Sequence, residues 1–392
     1  MMRKRRINAM RELIAKRYGD IEPSSMMRMA SLAANVADSI DLTLGEPDIS
    51  TPPEICEALC KAAMSGATHY APGMGLLGLR SAISDYWARR YGLSYGADEI
   101  FVTTGGSQAS FLALQACIDP GDEVVILEPC FTFYEQQVLQ AGGVPVYCLS
   151  GIENAFIPDP DEIESKITPK TKALIVNSPC NPTGAVFPRG TMEALARIAA
   201  EHDLVVVSDE LYEAFTYSSA HIPFASLPGM KERTIMIGGM SKSYAMTGWR
   251  IGYAMGDADF LKTMQIIGVV QTISVNTMVQ IASEFALRNC DARVREIADL
   301  FSRRVACAYE AFSAIPGIRT IRPGGSFYLF LDVLGTGMDG TDFAVRMLRD
   351  AGVVVIPGDS FGPHCGGYVR IACTVCEEKM REAAGRIKNS LR

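Results

Sequence analysis

Long hydrophobic runs and histidine-rich motifs are missing from this sequence of 392 residues. No apolar run approaches the roughly 20 residues that a membrane-spanning helix needs, and no hydrophobic secretory core follows the basic start Met1–Arg6. The net charge of −7 gives no support for a nucleic acid or another polyanion as a partner, so we interpret the basic start as a solvated arm. These absences predict a cytoplasmic protein with neither a membrane nor a nucleic-acid partner.

The sequence also lacks the spacing of a metal site and the regularity of a disulfide framework. Its four histidines show no His-Glu-x-x-His pattern, and Cys373 and Cys376 form a C-x-x-C pair without a second pair. Eleven cysteines, odd in number and scattered along a long chain, are typical of reduced thiols. We therefore predict a reducing compartment and no metal site.

The pattern of elements predicts an α/β fold. Strands alternate with helical stretches between about residues 52 and 289, which indicates a largely parallel sheet flanked by helices. A long helix over 291–315 and further strand and helix signals over 318–392 predict a second, smaller domain. The predicted organisation is an N-terminal arm with part of the small domain at 1–50, a large domain at 51–290, and a small domain with its linking helix at 291–392.

The segment Gly239–Gly252 carries the most chemical information. The β-rich apolar run 234–238 before it predicts a buried strand, so Ser241 and Lys242 would lie in the turn beyond the carboxyl end of that strand. Ligands of open α/β sheets bind at this edge. A lysine there can form an imine with a carbonyl group, and Arg250 can bind a phosphate. A Ser-Lys pair alone could also be a solvated turn.

Four other predicted strands end in polar or aromatic groups. The strand 100–104 leads into Gly105, Gly106 and Ser107 and then a helical stretch over 109–118, an arrangement whose backbone N–H groups can bind an anion. The strands 173–176, 204–207 and 123–127 lead, respectively, to Asn181, to Asp209 with Tyr212, and to aromatic residues beginning at Phe131.

Each of these residues also has an ordinary structural interpretation. Asp209 could cap a helix, Asn181 could form a turn and Arg250 could be a surface charge. Together, however, they supply every contact that one phosphorylated cofactor needs. A further motif is rejected: Gly73–Gly78 spells G-x-G-x-x-G but follows no predicted strand, so it is interpreted as a loop and not as a dinucleotide site.

In this combination the chain resembles fold-type I pyridoxal-phosphate (PLP) enzymes of the class I/II aminotransferase family, the relatives of aspartate aminotransferase. The resemblance covers nearly the whole chain. N-P-x-G, D-E-x-Y and Y-x-x-x-x-G-x-x-x-L-R elements are present, and the lysine segment agrees with the family pattern at Gly239, Ser241, Lys242, Gly248, Arg250 and Gly252. The resemblance implies a large domain with a mostly parallel seven-stranded sheet flanked by helices, and a smaller α+β domain.

The resemblance implies catalytic roles for three residues. Lys242 would form the Schiff base with PLP and then move a proton between the substrate α-carbon and the cofactor. Asp209 would pair with the pyridine nitrogen and keep it protonated. Tyr212, together with Asn181, would hydrogen-bond the phenolic oxygen of the cofactor.

The other site residues would hold the cofactor or the substrate. The phosphate would contact Gly106, Ser107, Ser241 and Arg250, and Phe131 would stack on the ring where relatives often have tryptophan or tyrosine. Arg370 would bind the substrate α-carboxylate through both guanidinium arms, near Asn181 and the backbone of Gly45. Tyr70 would reach the cofactor phosphate of a partner subunit, so a homodimer with shared active sites is expected.

The function implied is transfer of an amino group between an α-amino acid and a 2-oxo acid, by a ping-pong course through pyridoxamine phosphate. A PLP-dependent carbon–sulfur β-lyase and a non-catalytic PLP-binding regulatory protein remain as alternatives. The helical stretch after the phosphate-binding turn, 107–118, contains no cation that could bind a second carboxylate. This favours neutral or aromatic amino acids, although Arg28 or a residue of the partner subunit could supply such a cation.

Overall fold

The computed structural model describes residues 29, 31–33, 36 and 38–392. The basic start Met1–Arg6, Arg28 and most of the predicted arm lie outside the described residues. Within that description no helix is both long enough and apolar enough to cross a lipid bilayer.

From residue 40 onward, eleven α-helices and twelve strands follow one another along the chain. The strands are β1 (Ile40–Asp41), β2 (Ile100–Thr103), β3 (Glu123–Glu128), β4 (Val144–Leu149), β5 (Thr171–Asn177), β6 (Val205–Asp209), β7 (Thr234–Gly239), β8 (Gly252–Met255), β9 (Tyr328–Asp332), β10 (Val353–Val354), β11 (Ile356–Pro357) and β12 (Tyr368–Ala372). The helices are α1 (Pro53–Met64), α2 (Leu77–Tyr91), α3 (Gly106–Cys117), α4 (Tyr134–Gln140), α5 (Pro160–Lys166), α6 (Arg189–Glu201), α7 (Ala258–Thr272), α8 (Thr277–Asn289), α9 (Asp291–Ser313), α10 (Gly340–Arg346) and α11 (Glu377–Ser390).

A seven-stranded sheet forms the centre of the molecule, in the order β2-β8-β7-β6-β5-β3-β4. Only β8 runs antiparallel to its neighbours, so the predicted mostly parallel sheet is confirmed. The central strands are apolar on both faces because helices cover both sides. Helix α6 is an example of such a covering helix, because its residues Met192, Leu195 and Ala199 recur at helical spacing and are buried.

The C-terminal part of the chain forms the sheet β11-β12-β9, and its strand β10 pairs with β1 from the N-terminal part in a second small sheet. The long helix α9 packs against them with a buried stripe that includes Phe301, Val305 and Phe312. This helix begins at the predicted residue, whereas α3 begins earlier than predicted because the turn at Gly105, with φ of 79°, leads directly into it. The proposed division into domains stays a prediction.

In the segment Gly73–Gly78, residues 73–76 form a loop and the last two residues begin α2, and no strand lies immediately before it. Gly75 has φ of 100°, a left-handed conformation that favours glycine. The rejection of a dinucleotide site at this segment agrees with the structure, because that site requires a strand immediately before the glycines.

Candidate active site

The carboxyl ends of the parallel strands open into a cavity of about 430 Å³, a size within the usual range for small-molecule sites. The residues predicted for the site line this cavity, with the exception of Tyr70: they are Gly45, Gly106, Ser107, Phe131, Asn181, Asp209, Tyr212, Ser241, Lys242, Arg250 and Arg370. Tyr70 lies in the loop before α2 with 79% of its surface exposed. The structure thus brings these residues together, and their roles toward a cofactor stay predictions.

Lys242 lies just beyond β7, and its amine donates a hydrogen bond to the backbone oxygen of Gly45. Burial lowers the pKa of Lys242 to about 8, and the positive charges of Arg370 and Arg250 act in the same direction. The carboxylates of Glu46 and Asp209 oppose this shift. A lysine with such a pKa carries a free amine in an appreciable fraction of molecules near neutral pH, which is what a nucleophile or a general base requires.

The lowered pKa of Lys242 predicts a pH-dependent cost to stability in the cofactor-free protein. Below pH 8 the buried amine is charged in the folded state, whereas between pH 8 and its unfolded value near 10.5 only the unfolded chain binds the proton. The contribution of Lys242 to the free energy of unfolding therefore rises with pH through this window. We expect Lys242→Met to be more stable than wild type at pH 7 by about 2 kcal/mol, because methionine places no charge in the buried site. This value is smaller than the full pKa shift implies, since the Lys242 side chain is partly exposed to the cavity.

Urea unfolding of both cofactor-free proteins at pH 7 and pH 10 measures this effect, and the difference should shrink at the higher pH. Lys262→Met is the matched control, because Lys262 is an exposed lysine paired with Asp259 on α7. A Lys242→Met difference that is equal at both pH values would contradict the prediction.

Asp209 ends β6 as a buried carboxylate. Its Oδ2 accepts a hydrogen bond from the Tyr134 hydroxyl at 2.7 Å, and its Oδ1 accepts one from the Leu211 N–H at 3.2 Å. Burial raises the pKa of Asp209, and these two hydrogen bonds act against the rise. No lysine or arginine of the described chain lies within ion-pair distance of it. A buried carboxylate without a protein cation fits a ligand that brings its own positive charge.

The turn between β2 and α3 presents the N-terminus of that 12-residue helix to the cavity. Gly106 is its first residue, and Ser107 and Ser241 add hydroxyl groups. A Cβ atom on Gly252 would lie 2.6 Å from the backbone of Gly105 and Gly106, so β8 packs directly against this turn. Arg250 also lines the cavity, and its Nη1 donates a hydrogen bond to the Thr247 backbone oxygen at 2.8 Å. Helix N-terminus, hydroxyls and guanidinium together fit a phosphate group.

Arg370 lies on β12, and its buried guanidinium contacts two aromatic rings. Its Cζ lies 4.5 Å from the ring centre of Tyr328 and 4.9 Å from that of Phe361. Nη1 donates to Asn181 Oδ1 at 3.0 Å and Nη2 donates to the Thr43 oxygen at 2.6 Å. Its Nε is buried without a hydrogen-bond partner among the described residues. An anion such as a carboxylate is the ligand that a buried guanidinium in this state favours.

Sequence reasoning missed two residues that hydrogen-bond the predicted catalytic groups of this site. Tyr134 holds Asp209 from the start of α4, and Tyr328 on β9 shares a 2.7 Å hydrogen bond between its hydroxyl and that of Tyr212. The aromatic run that begins at Phe131 contains Tyr134 and could have indicated it. Tyr328 had no such signal, because only the packing of β9 against the loop after β6 places it beside Tyr212.

Cysteine and histidine form no further reactive centre in the part of the chain that the structure describes. All eleven cysteines are free, and no group of three or more His, Cys, Asp and Glu side chains is arranged to hold a metal ion there. Cys180, next to Asn181, is buried, and burial raises its pKa. A thiol in that state is a poor nucleophile.

Comparison with known proteins shows the family to which the chain belongs. The family model Aminotransferase class I and II matches residues 37–387. The chain is 40% identical to the aspartate/prephenate aminotransferase of Thermus thermophilus over 96% of its length and 98% of the relative's. It is 37% identical to aromatic-amino-acid aminotransferase 2 of Thermococcus litoralis over 97% and 98% of the two chains.

Solved structures of such enzymes have the same fold. The aspartate aminotransferase of Thermus thermophilus with maleate superposes with a TM-score of 0.91 at 39% identity, covering 96% of this chain and 99% of that one. The aromatic aminotransferase of Pyrococcus horikoshii gives 0.88 at 38% identity, covering 93% and 98%. These relatives do not favour the lyase or the regulatory alternative. The chain belongs to the class I and II aminotransferase family, whose members are transferases that move amino groups.

Proposed function

We propose that this protein is a cytoplasmic, PLP-dependent enzyme that transfers the amino group of a neutral or aromatic α-amino acid to a 2-oxo acid. The proposal rests on one observation, namely that Lys242, Asp209 and Arg370 line the same cavity. An amine with a pKa of about 8, a buried carboxylate and a buried guanidinium are the three groups that this reaction requires. The eleven free thiols support a reducing compartment.

The residues of the cavity fit PLP group by group. The N-terminus of α3 with Ser107, Ser241 and Arg250 would hold the phosphate, and Asp209 would pair with the ring nitrogen. Asn181 and Tyr212 would donate to the phenolic oxygen, and Phe131 would cover one face of the ring. When bound, PLP supplies an aldehyde and an electron-withdrawing ring that stabilises negative charge on the substrate α-carbon.

The protein's own groups then bind, orient and move a proton. Arg370 would hold the α-carboxylate through its planar fork, and this orients the α-carbon hydrogen toward Lys242. The Lys242 amine would remove that proton and return it at the cofactor, because a pKa near the working pH suits a group that must be base and acid in turn. Tyr134 supports this by donating to Asp209, a hydrogen bond that favours the ionised carboxylate.

The cations of the cavity support the neutral or aromatic class of substrate. Among the described residues that line it, the only cations are Lys242, Arg250 and Arg370, and the proposal assigns each of them to the cofactor or to the α-carboxylate. No cation is left there for a second substrate carboxylate. Leu44 and Phe133 line the cavity with 57% and 38% of their surfaces exposed. An apolar substrate side chain would cover them, which stabilises binding by about 25 cal/mol for each Å² removed from water.

A single-turnover panel tests the proposed function. The absorbance of the PLP-loaded protein is followed while phenylalanine, tyrosine, leucine, aspartate and glutamate are added one at a time, without an oxo-acid acceptor. We expect conversion to the pyridoxamine form with the aromatic and neutral donors, at rates at least about tenfold above those of the dicarboxylic donors. Faster conversion with aspartate would contradict the substrate class, and no conversion with any donor would contradict the proposed reaction.

A homodimer with shared active sites is part of the same proposal. The support is a group of exposed apolar side chains on one protomer, Tyr70 at 79%, Ile266 at 69%, Val270 at 84% and Ile273 at 52%. Such surface is typical of a protein interface. Sedimentation of the loaded protein as a single chain would contradict it.

A further inference from the structure

Glu128 is a fully buried carboxylate at the carboxyl end of β3, three residues before Phe131. Its Oε1 accepts hydrogen bonds from the backbone N–H of His364 at 2.7 Å and from the Cys365 thiol at 3.5 Å. Its Oε2 lies 2.9 Å from Nδ1 of His364. Every one of these partners lies in one segment, residues 358–365, which we name the Phe361 loop.

The charge of Glu128 is balanced only weakly. His364 is its sole ion-pair partner among the described residues, and the His364 side chain is 59% exposed. A buried carboxylate of this kind is costly unless its hydrogen bonds are complete. The donors of the Phe361 loop satisfy that need, so Glu128 fixes the position of the loop more firmly than an apolar contact would.

The Phe361 loop also contacts the proposed substrate-binding guanidinium. Cys130 N–H donates to the Phe361 oxygen at 2.9 Å, a second link between the segment after β3 and the loop. The Phe361 ring contacts the Arg370 guanidinium, with its centre 4.9 Å from Cζ, and the Tyr328 ring does so at 4.5 Å. A shift of the Phe361 loop would move the Phe361 ring away from the Arg370 guanidinium. Arg370 is a long, flexible side chain, and its nitrogens must keep hydrogen-bonding geometry with the substrate carboxylate.

We infer that Glu128 is a positioning residue for recognition of the substrate α-carboxylate, which acts by holding the Phe361 ring against Arg370. The inference rests on the proposed function, because it takes Arg370 as the group that binds that carboxylate. Glu128 is not among the residues that line the cavity, so its removal should change substrate binding and leave the cofactor in place.

Glu128→Gln tests the inference, because the amide has the same shape and keeps one acceptor oxygen, but it replaces the other with an NH2 group and so removes the negative charge and one of the two acceptors that hold the Phe361 loop. We expect the KM of the best amino donor, and the dissociation constant of 3-phenylpropionate measured by its effect on cofactor absorbance, to rise about tenfold, the size expected for a lost charged hydrogen bond. The kcat should stay within about twofold, and the cofactor dissociation constant should not change. Phe361→Leu should raise KM in the same way.

The double variant separates this role from a general loss of packing. If Glu128 acts through Phe361, the two KM effects combined should be smaller than their product. Glu164→Gln is the matched control, because Glu164 forms a surface pair with His202 at 3.6 Å, and it should behave as wild type. If Glu128→Gln does not fold, His364→Ala takes its place in the cycle, with an expected KM increase of about threefold.

Three results would overturn the inference: an unchanged KM in Glu128→Gln, KM effects that multiply in the double variant, or a loss of cofactor binding that accompanies the KM change. A wild-type protein that converts no amino acid would instead refute the proposed function. The two failures are therefore distinguishable.

Discussion

Lys242→Ala is expected to lose at least about 10⁴-fold in the rate of amino-group transfer, since it removes a proton-transferring group whose contribution alone reaches that size. It also removes the amine that would bind the cofactor covalently. Alanine leaves Gly45, whose oxygen accepts from the lysine, and the rest of the cavity unchanged. The measurement is the single-turnover absorbance change with the best amino donor, at saturating PLP.

A labelling experiment makes the Lys242 prediction specific. Borohydride reduction of the loaded wild-type protein should attach the cofactor to Lys242, detected by the mass of the peptide that contains it. Lys262→Ala, which removes an exposed lysine of α7, should retain wild-type activity and labelling. Turnover of Lys242→Ala at the wild-type rate, or a label on another lysine, would refute the assignment.

Asp209→Asn is expected to lower kcat about 10³-fold, the range found when a preorganised charge that stabilises a transition state is removed. The side chain stays buried and can still accept from Tyr134, but it cannot offer a negative charge to a protonated ring nitrogen. Burial already raises the pKa of Asp209, so its ionised form depends on its hydrogen bonds and on a positive ligand. The cofactor dissociation constant should rise as well, which equilibrium dialysis measures independently of activity.

Two further variants are compared with Asp209→Asn, one as a control and one with an intermediate expected effect. Asp203→Asn makes the same chemical change on a side chain that is 96% exposed, and it should leave kcat and cofactor binding unchanged. Tyr134→Phe removes one hydrogen bond to the carboxylate, worth about 1.5–3 kcal/mol, so its cofactor affinity should fall between wild type and Asp209→Asn. Wild-type kcat in Asp209→Asn would show that no charge is needed at this position.

The sequence indicated most of the residues that line one cavity because they lie at strand ends, and their roles stay predictions. Lys242, Asp209 and Asn181 each follow a short apolar run, and the carboxyl ends of parallel strands meet at one edge of a sheet. Local pattern plus that rule brings them together without knowledge of the tertiary structure. Phe131 and Ser107 were found in the same way.

Other parts of the site depend on contacts between segments that are distant in sequence. Tyr328 reaches Tyr212 across 116 residues, and Glu128 reaches His364 across 236. Neither pair carries a local signal, since a tyrosine in a strand and a glutamate before a proline have many ordinary roles.

The sequence by itself determined the order of strands and helices, the lysine, carboxylate and arginine of the cavity, and the family that they indicate. Those features rest on periodicity and on residue type, which are local properties of the chain. Only the tertiary structure decided which rings hold the Arg370 guanidinium, which hydroxyl holds Asp209 and how far burial lowers the pKa of Lys242. These depend on packing and desolvation, and both exist only after the distant segments have folded against each other.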